Sequence, residues 1–270
     1  MYELQYSKPS SVNDAVAEVK KSTDAKFLAG GMTMIPTLKA RLSSADLLVD
    51  LKGSNLSNIS VSSSEVVVGS MTRHCDVASS SDIKGSLPAL AKLAGGIGDH
   101  MVRSCGTIGG SLANNDPAAC YPSAVLALGA TVITNERSIT ADDFFEGMFE
   151  TALNEDEIIT EIKFPIPEKA SYIKFPNPAS RYAMVGVFMV KKPEGISVAV
   201  TGAGENGVFR CQEIENVLNS NFALEALDNI QISHDNLTSD IHASAAYRAN
   251  LIKEMAKKGL QELILFYKIY

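Results

Sequence analysis

No two cysteines of this chain are spaced as C-x-x-C, and no two histidines as H-x-x-x-H or H-E-x-x-H. The four cysteines, Cys75, Cys105, Cys120 and Cys211, are scattered, and so are the four histidines. Zinc and iron–sulfur sites need clustered ligands, so no metal ligand is expected and the cysteines read as buried or free thiols. His74 and His100 read as structural or surface side chains. A basic run is also missing: 31 acidic residues outnumber 24 basic ones, for a net charge of −7. That balance excludes nucleic acid and anionic membranes as main partners. No segment reaches the roughly 18 uninterrupted apolar residues of a spanning helix. The start, "MYELQYSKPSS", lacks a basic stretch followed by an apolar run, so no signal peptide is expected and a cytoplasmic chain is. Nor is there a nucleophile–base pair or a pair of catalytic acids, so no catalytic residue is assigned.

What remains is an ordinary globular composition in 270 residues, 46% hydrophobic and 20% charged. That length suits two or three small domains. "SSVNDAVAEVKKS" has helical spacing, with Ser11 and Asp14 as a capping pair. "AKFLAGG" reads as a strand ending in a glycine turn. "MTMIPTLKARL" reads as a helix with Pro36 in its first turn, where a missing N–H costs little. "DLLVDL" is a strand, so residues 1–52 form a small α/β unit. "NISVSSSEVVVGSMTRH" predicts a hairpin opening a second unit over 53–167. "LPALAKLAGGIG" predicts a helix, "TIGGSLANNDP" a loop, "YPSAVLALGATVIT" a helix running into a strand, and "DEIITEIKFPIP" a strand. In residues 168–270, "AMVGVFMV" and "ISVAVTGAG" predict antiparallel strands. Two helices follow, the second with Ala246, Leu251, Met255, Leu260 and Ile264 on its apolar face.

The most conspicuous motif is a decoy. Gly202, Gly204 and Gly207 match G-x-G-x-x-G, but "VFRCQEI" follows. A dinucleotide fingerprint needs a helix to start at once after the glycines. Here the extended pattern continues, which predicts a strand-to-strand turn. Two other turns fit an anion better: "LAGGMTMIP" (28–36) and "GTIGGSLANNDP" (106–117). Gly30–Gly31 and Gly109–Gly110 are free to take positive φ and to bring backbone N–H groups up to a ligand. Thr33, Thr107, Ser111 and Asn114 add short polar side chains.

Taken together, "FLAGGMTMIPTLKARL", "GTIGGSLANNDPAACYPSAVLALGA", "IKFPNPASRYAMVGV" and "DIHASAAYR" resemble, in order, the FAD-binding medium subunit of the molybdenum hydroxylases. That family includes carbon monoxide dehydrogenase, xanthine dehydrogenase and the aldehyde and N-heterocycle dehydrogenases. The resemblance implies an α+β fold: a PCMH-type FAD-binding fold similar to vanillyl-alcohol oxidase, followed by a C-terminal domain like that of the carbon monoxide dehydrogenase flavoprotein. It implies FAD contacts from Ala29, Gly30, Gly31, Met32, Thr33 and Met34 in the first turn. It implies further contacts from Thr107, Gly109, Gly110, Ser111, Asn114 and Asp116 in the second. Lys174, Arg181 and Tyr182 are implied near the isoalloxazine, where a cation favours a reduced flavin. The implied partners are a large molybdenum-cofactor subunit and a small subunit with 2Fe–2S clusters, in a dimer of heterotrimers. The implied electron acceptor is NAD, a quinone or oxygen. The chain departs from the family at Cys120, where an Asp is common, and at Met32 and Met34, where polar or small residues are. Three other readings stay open: a self-contained flavin oxidase on the same fold, a nicotinamide dehydrogenase, and a scaffold that has lost FAD.

Overall fold

The computed structural model describes residues 1–265. The last five positions of the expected third unit lie outside the described residues. The chain opens with β1 (Gln5–Ser7), α1 (Val12–Val19), β2 (Ala25–Leu28), α2 (Met34–Lys39) and β3 (Leu47–Asp50). These strands form a parallel sheet in the order β1-β3-β2. Ser11 caps α1 as its spacing predicts, its hydroxyl accepting from Asp14 N at 3.1 Å, and Ala15 and Val19 face the core. Pro36 is the third residue of α2, inside the first turn.

The second sheet is antiparallel. The chain continues through β4 (Ile59–Val61), β5 (Glu65–Gly69) and the helices α3 (His74–Ser79), α4 (Ser81–Ser86), α5 (Pro88–Gly95), α6 (His100–Cys105), α7 (Ile108–Asn114) and α8 (Tyr121–Leu128). Then come β6 (Thr131–Thr134), β7 (Ser138–Thr140), α9 (Ala141–Phe144), the hairpin β8 (Phe145–Gly147) with β9 (Glu150–Thr151), and β10 (Ile159–Pro165). The sheet order is β4-β5-β10-β6-β7. Every residue of α8 is buried, as expected for a helix apolar on all sides.

β11 (Lys169–Pro176), β12 (Ala183–Lys192), β13 (Gly195–Gly204) and β14 (Gly207–Arg210) form an antiparallel meander. α10 (Gln212–Ser220) and α11 (Ala245–Leu265) follow. The run "AMVGVFMV" is apolar at every position because both faces of β12 are covered. Val185, Val187 and Met189 pack with α10 and α11, while Phe188 and Val190 pack on the other side with α8. Along α11, Leu251, Met255 and Leu260 are buried and Ile264 is half-buried. Ala246 is exposed instead, because the buried stripe starts at Arg248 and Ala249.

The G-x-G-x-x-G match is the tight turn of the β13–β14 hairpin, with Gly204 paired to Gly207, as predicted. The "TIGGSLANNDP" prediction was wrong: residues 108–114 form α7. Thr107 caps that helix through its hydroxyl, which accepts from Gly110 N at 3.2 Å. Asn115 ends it in the left-handed region, at φ 40°. A cap at each end offsets the poor helix propensity of the two glycines.

Candidate functional site

β2 ends against the first glycine turn. Gly31 has φ +71°, and the chain then winds into α2. Ile35 N donates to Gly31 O and Thr37 N to Thr33 O. The backbone N–H groups of Gly31, Met32, Thr33 and Met34 donate to no protein acceptor among the described residues. Orphan donors in successive residues make an anion-binding concavity. Of the four glycines expected to use positive φ, only Gly31 does so. Gly30 is needed for close approach: a Cβ there would lie 2.2 Å from Cys105 O.

The second turn is braced from below. Ile108 N donates to Thr72 O at 3.1 Å and Gly109 N to Ser70 O at 2.8 Å. A Cβ on Gly109 would lie 2.5 Å from Ser70 Cβ. The expectation that Gly109 and Gly110 offer free N–H groups is therefore corrected: both are engaged, to Ser70 O and Thr107 Oγ1. What this turn contributes is shape. A Cβ on Gly110 would lie 3.2 Å from Ala29 Cβ, so the two glycine turns meet at that point.

The turns, with the loop between β11 and β12, line one cleft of about 610 Å³. All of the expected residues lie on its walls: 29–34 from the first turn, Thr107, Gly109, Gly110, Ser111, Asn114 and Asp116 from the second, Lys174 from β11, and Arg181 and Tyr182 from the loop that follows it. Ile97, Val102, Leu153 and Ile158 add apolar wall. Burial raises the pKa of Asp116, partly offset by the Ala118 N–H its carboxylate accepts. Lys174 Nζ donates to Gly96 O and Arg181 O and touches Cys120 Sγ.

The cleft also contains residues that no motif announced. His74 is buried with its ring 5.4 Å from that of Tyr121. Burial, with Arg103 nearby, lowers its pKa to about 4, so it is neutral near pH 7. Glu157 is buried and also lines the cleft. Burial opposes its ionisation, but the Arg137 guanidinium, the Thr134 hydroxyl and Asn154 N together hold its pKa at about 2. A folded-state pKa below the ordinary 4.5 means stability present above that value and lost as pH falls toward 2. Glu157→Gln is expected to remove a share of the acid-induced loss, of order 3 kcal/mol. Urea unfolding of both proteins at stepped pH checks this, and parallel pH slopes would contradict it.

No group of three or more His, Cys, Asp or Glu able to hold a metal occurs among the described residues. No helix among them is long and apolar enough to cross a membrane. The cleft is thus a large, partly apolar site with unpaired backbone donors at one turn and cations at another.

Residues 2–167 match the family described as the FAD binding domain in molybdopterin dehydrogenase. The chain is similar to the glyceraldehyde dehydrogenase medium chain of Sulfolobus acidocaldarius, at 32% identity over 97% of this chain and 98% of the relative. It is similar to the nicotine 6-hydroxylase medium subunit of Paenarthrobacter nicotinovorans, at 31% identity over 96% of each. Among solved structures it resembles reconstituted CO dehydrogenase from Oligotropha carboxidovorans, with a TM-score of 0.88, 29% identity, and 96% and 97% of the two chains covered.

Proposed function

The chain belongs to the family of FAD-binding domains of molybdopterin dehydrogenases, with FAD as its cofactor, and from that premise we propose that it is the flavoprotein subunit of a molybdenum hydroxylase complex. In such a complex FAD supplies the exchange between electrons arriving singly from 2Fe–2S clusters of a partner chain and an external acceptor. The proposed partners are a large molybdenum-cofactor subunit and a small 2Fe–2S subunit, in a dimer of heterotrimers. The proposed acceptor is NAD, a quinone or oxygen. The relatives' names, medium chain and medium subunit, support a multi-chain assembly.

The residues present fit FAD. The observation that carries this is the meeting of two glycine turns, distant in sequence, beside four backbone donors that lack acceptors. Such donors suit a pyrophosphate. Residues 29–34 would hold it, with Thr107, Gly109 and Gly110 shaping the opposite wall. Ser111, Asn114 and Asp116 would offer polar contacts. Lys174, Arg181 and Tyr182 would border the isoalloxazine. Backbone donors tolerate Met32 and Met34, because their use does not depend on the side chain. Cys120, where the family commonly has Asp, gives up a strong acceptor for a weak one.

We also propose a division into units at 1–52, 53–167 and 168–270. It is supported by the sheets, each of which takes all its strands from within one of these segments.

The purified chain is expected to show a flavin band at about 450 nm. Alone, it is expected to turn over none of CO, aldehydes or N-heterocycles with an artificial electron acceptor. Turnover without molybdenum and iron would overturn the subunit reading in favour of a self-contained oxidase.

A further inference from the structure

The cleft carries two cations at one end, and their surroundings differ. Lys174 sits on β11, and an ammonium has three protons to donate. All three find neighbours: Gly96 O, Arg181 O at 3.1 Å and Cys120 Sγ at 3.7 Å. Gly96 caps the C-terminal end of α5, where a cation is favoured by the helix dipole. Lys174 therefore joins a helix of the middle segment to the loop between β11 and β12.

That loop is tightly wound. Asn177 N donates to Tyr182 O and Arg181 N to Asn177 O, each at 2.8 Å. Asn177 Oδ1 accepts from Ala179 N and Ser180 N. Arg181 is held at φ +63°, a region that non-glycine residues avoid unless their surroundings impose it. Its carbonyl is the one Lys174 grips. Its guanidinium makes no hydrogen bond or ion pair among the described residues, and Arg181 lines the cleft.

We propose that Lys174 is a positioning residue, a buckle that holds the 177–182 loop against the cleft and governs cofactor release, and that Arg181 is the cation left available to the flavin. This rests on the flavoprotein reading above.

The test uses the full chain loaded with FAD, as wild type, Lys174→Gln, Lys174→Arg and Arg181→Gln. One readout is the rate of FAD release on dilution, followed by the rise in flavin fluorescence. The other is the ratio of reduced to oxidised flavin at a fixed dye potential. Lys174→Gln is expected to release FAD about tenfold faster, as loss of charge-assisted hydrogen bonds implies, and to move the redox ratio less than Arg181→Gln does. Lys174→Arg keeps a cation able to bridge two carbonyls and is expected to restore slow release. Arg181→Gln is expected to shift the redox ratio about tenfold toward oxidised flavin, near 30 mV for a two-electron couple, and to speed release less than Lys174→Gln does. The reverse pattern, with Lys174→Gln moving the ratio and not the release, overturns the proposal. So does a Lys174→Arg variant that releases as fast as Lys174→Gln. If wild type carries no flavin, the flavoprotein reading fails, and trypsin still tests the buckle. Cleavage after Arg181 is then expected to be faster in Lys174→Gln, and equal rates overturn it.

Discussion

Gly110→Val is expected to fold and yet to purify with less than about a tenth of the wild-type flavin, because side-chain bulk enters where backbone must stay open to a ligand. Gly110 lies inside α7, so the substitution meets no left-handed backbone. The obstacle is space. A Cβ would sit 3.0 Å from Thr107 Oγ1 and 3.2 Å from Ala29 Cβ, which a shift of a few tenths of an ångström relieves. The two further carbons of valine must then either part the glycine turns or project into the cleft. Either outcome removes the pyrophosphate seat and leaves the cores untouched. Gly204→Ala is the matched control. Its Cβ meets Gly207 O at 2.5 Å, so the hairpin loosens, but Gly204 is not on the cleft wall and flavin content stays at the wild-type level. Flavin absorbance relative to protein, read beside circular dichroism, decides. Wild-type flavin content in folded Gly110→Val would sink the assignment of this turn.

Gly30→Ala is expected to lower the melting temperature of the FAD-free protein by roughly 10 °C, from an overpacking cost of about 3 kcal/mol and about 2–4 °C per kcal/mol at this size. The added Cβ would lie 2.2 Å from Cys105 O and 2.7 Å from Gly106 Cα. Both are backbone atoms, so no rotamer change relieves the contact, and the first turn must separate from the end of α6. Flavin-free protein is specified because bound ligand raises the melting temperature by mass action. Calorimetry of the two proteins checks the shift. A melting temperature within about 2 °C of wild type, less than the shift from 1 kcal/mol, would mean that the turn has room the contact distances deny.

The site was legible in the sequence where glycine marked it. Gly30–Gly31 and Gly109–Gly110 are conspicuous, and all four line the cleft. Positive φ, one of the two reasons given, fails for three of them, since close approach of backbone leaves the same mark in a sequence as positive φ. α7 was missed because the glycines, asparagines and proline of "TIGGSLANNDP" argue against a helix, whereas its caps, Thr107 and Asn115, act through geometry. That His74 and Glu157 line the cleft was not legible, because each stands alone in the sequence. Their neighbours Tyr121 and Arg137 are brought to them only by the fold. Lys174 was legible as a cation and not as a tie, because its three acceptors come from three separate segments. In the third sheet β12 and β13 were legible because burial on both faces left largely apolar runs, whereas β11, only half-buried along most of its length, was not predicted.

The N-terminal sheet has a further consequence for how the protein opens. Its three short parallel strands rest on two small clusters, one around Val49 and Leu51 and the other around Leu38 and Leu48. β12 and β13, by contrast, are covered on both faces by the two largest clusters. Native-state amide exchange is therefore expected to divide the chain into cooperative units of unequal protection, with β2 and β3 opening at lower free energy than β12 and β13. Since the first glycine turn hangs from the end of β2, such an opening would dismantle one wall of the cleft while the other walls persist. Added FAD would then slow exchange most in the strands that carry the turn.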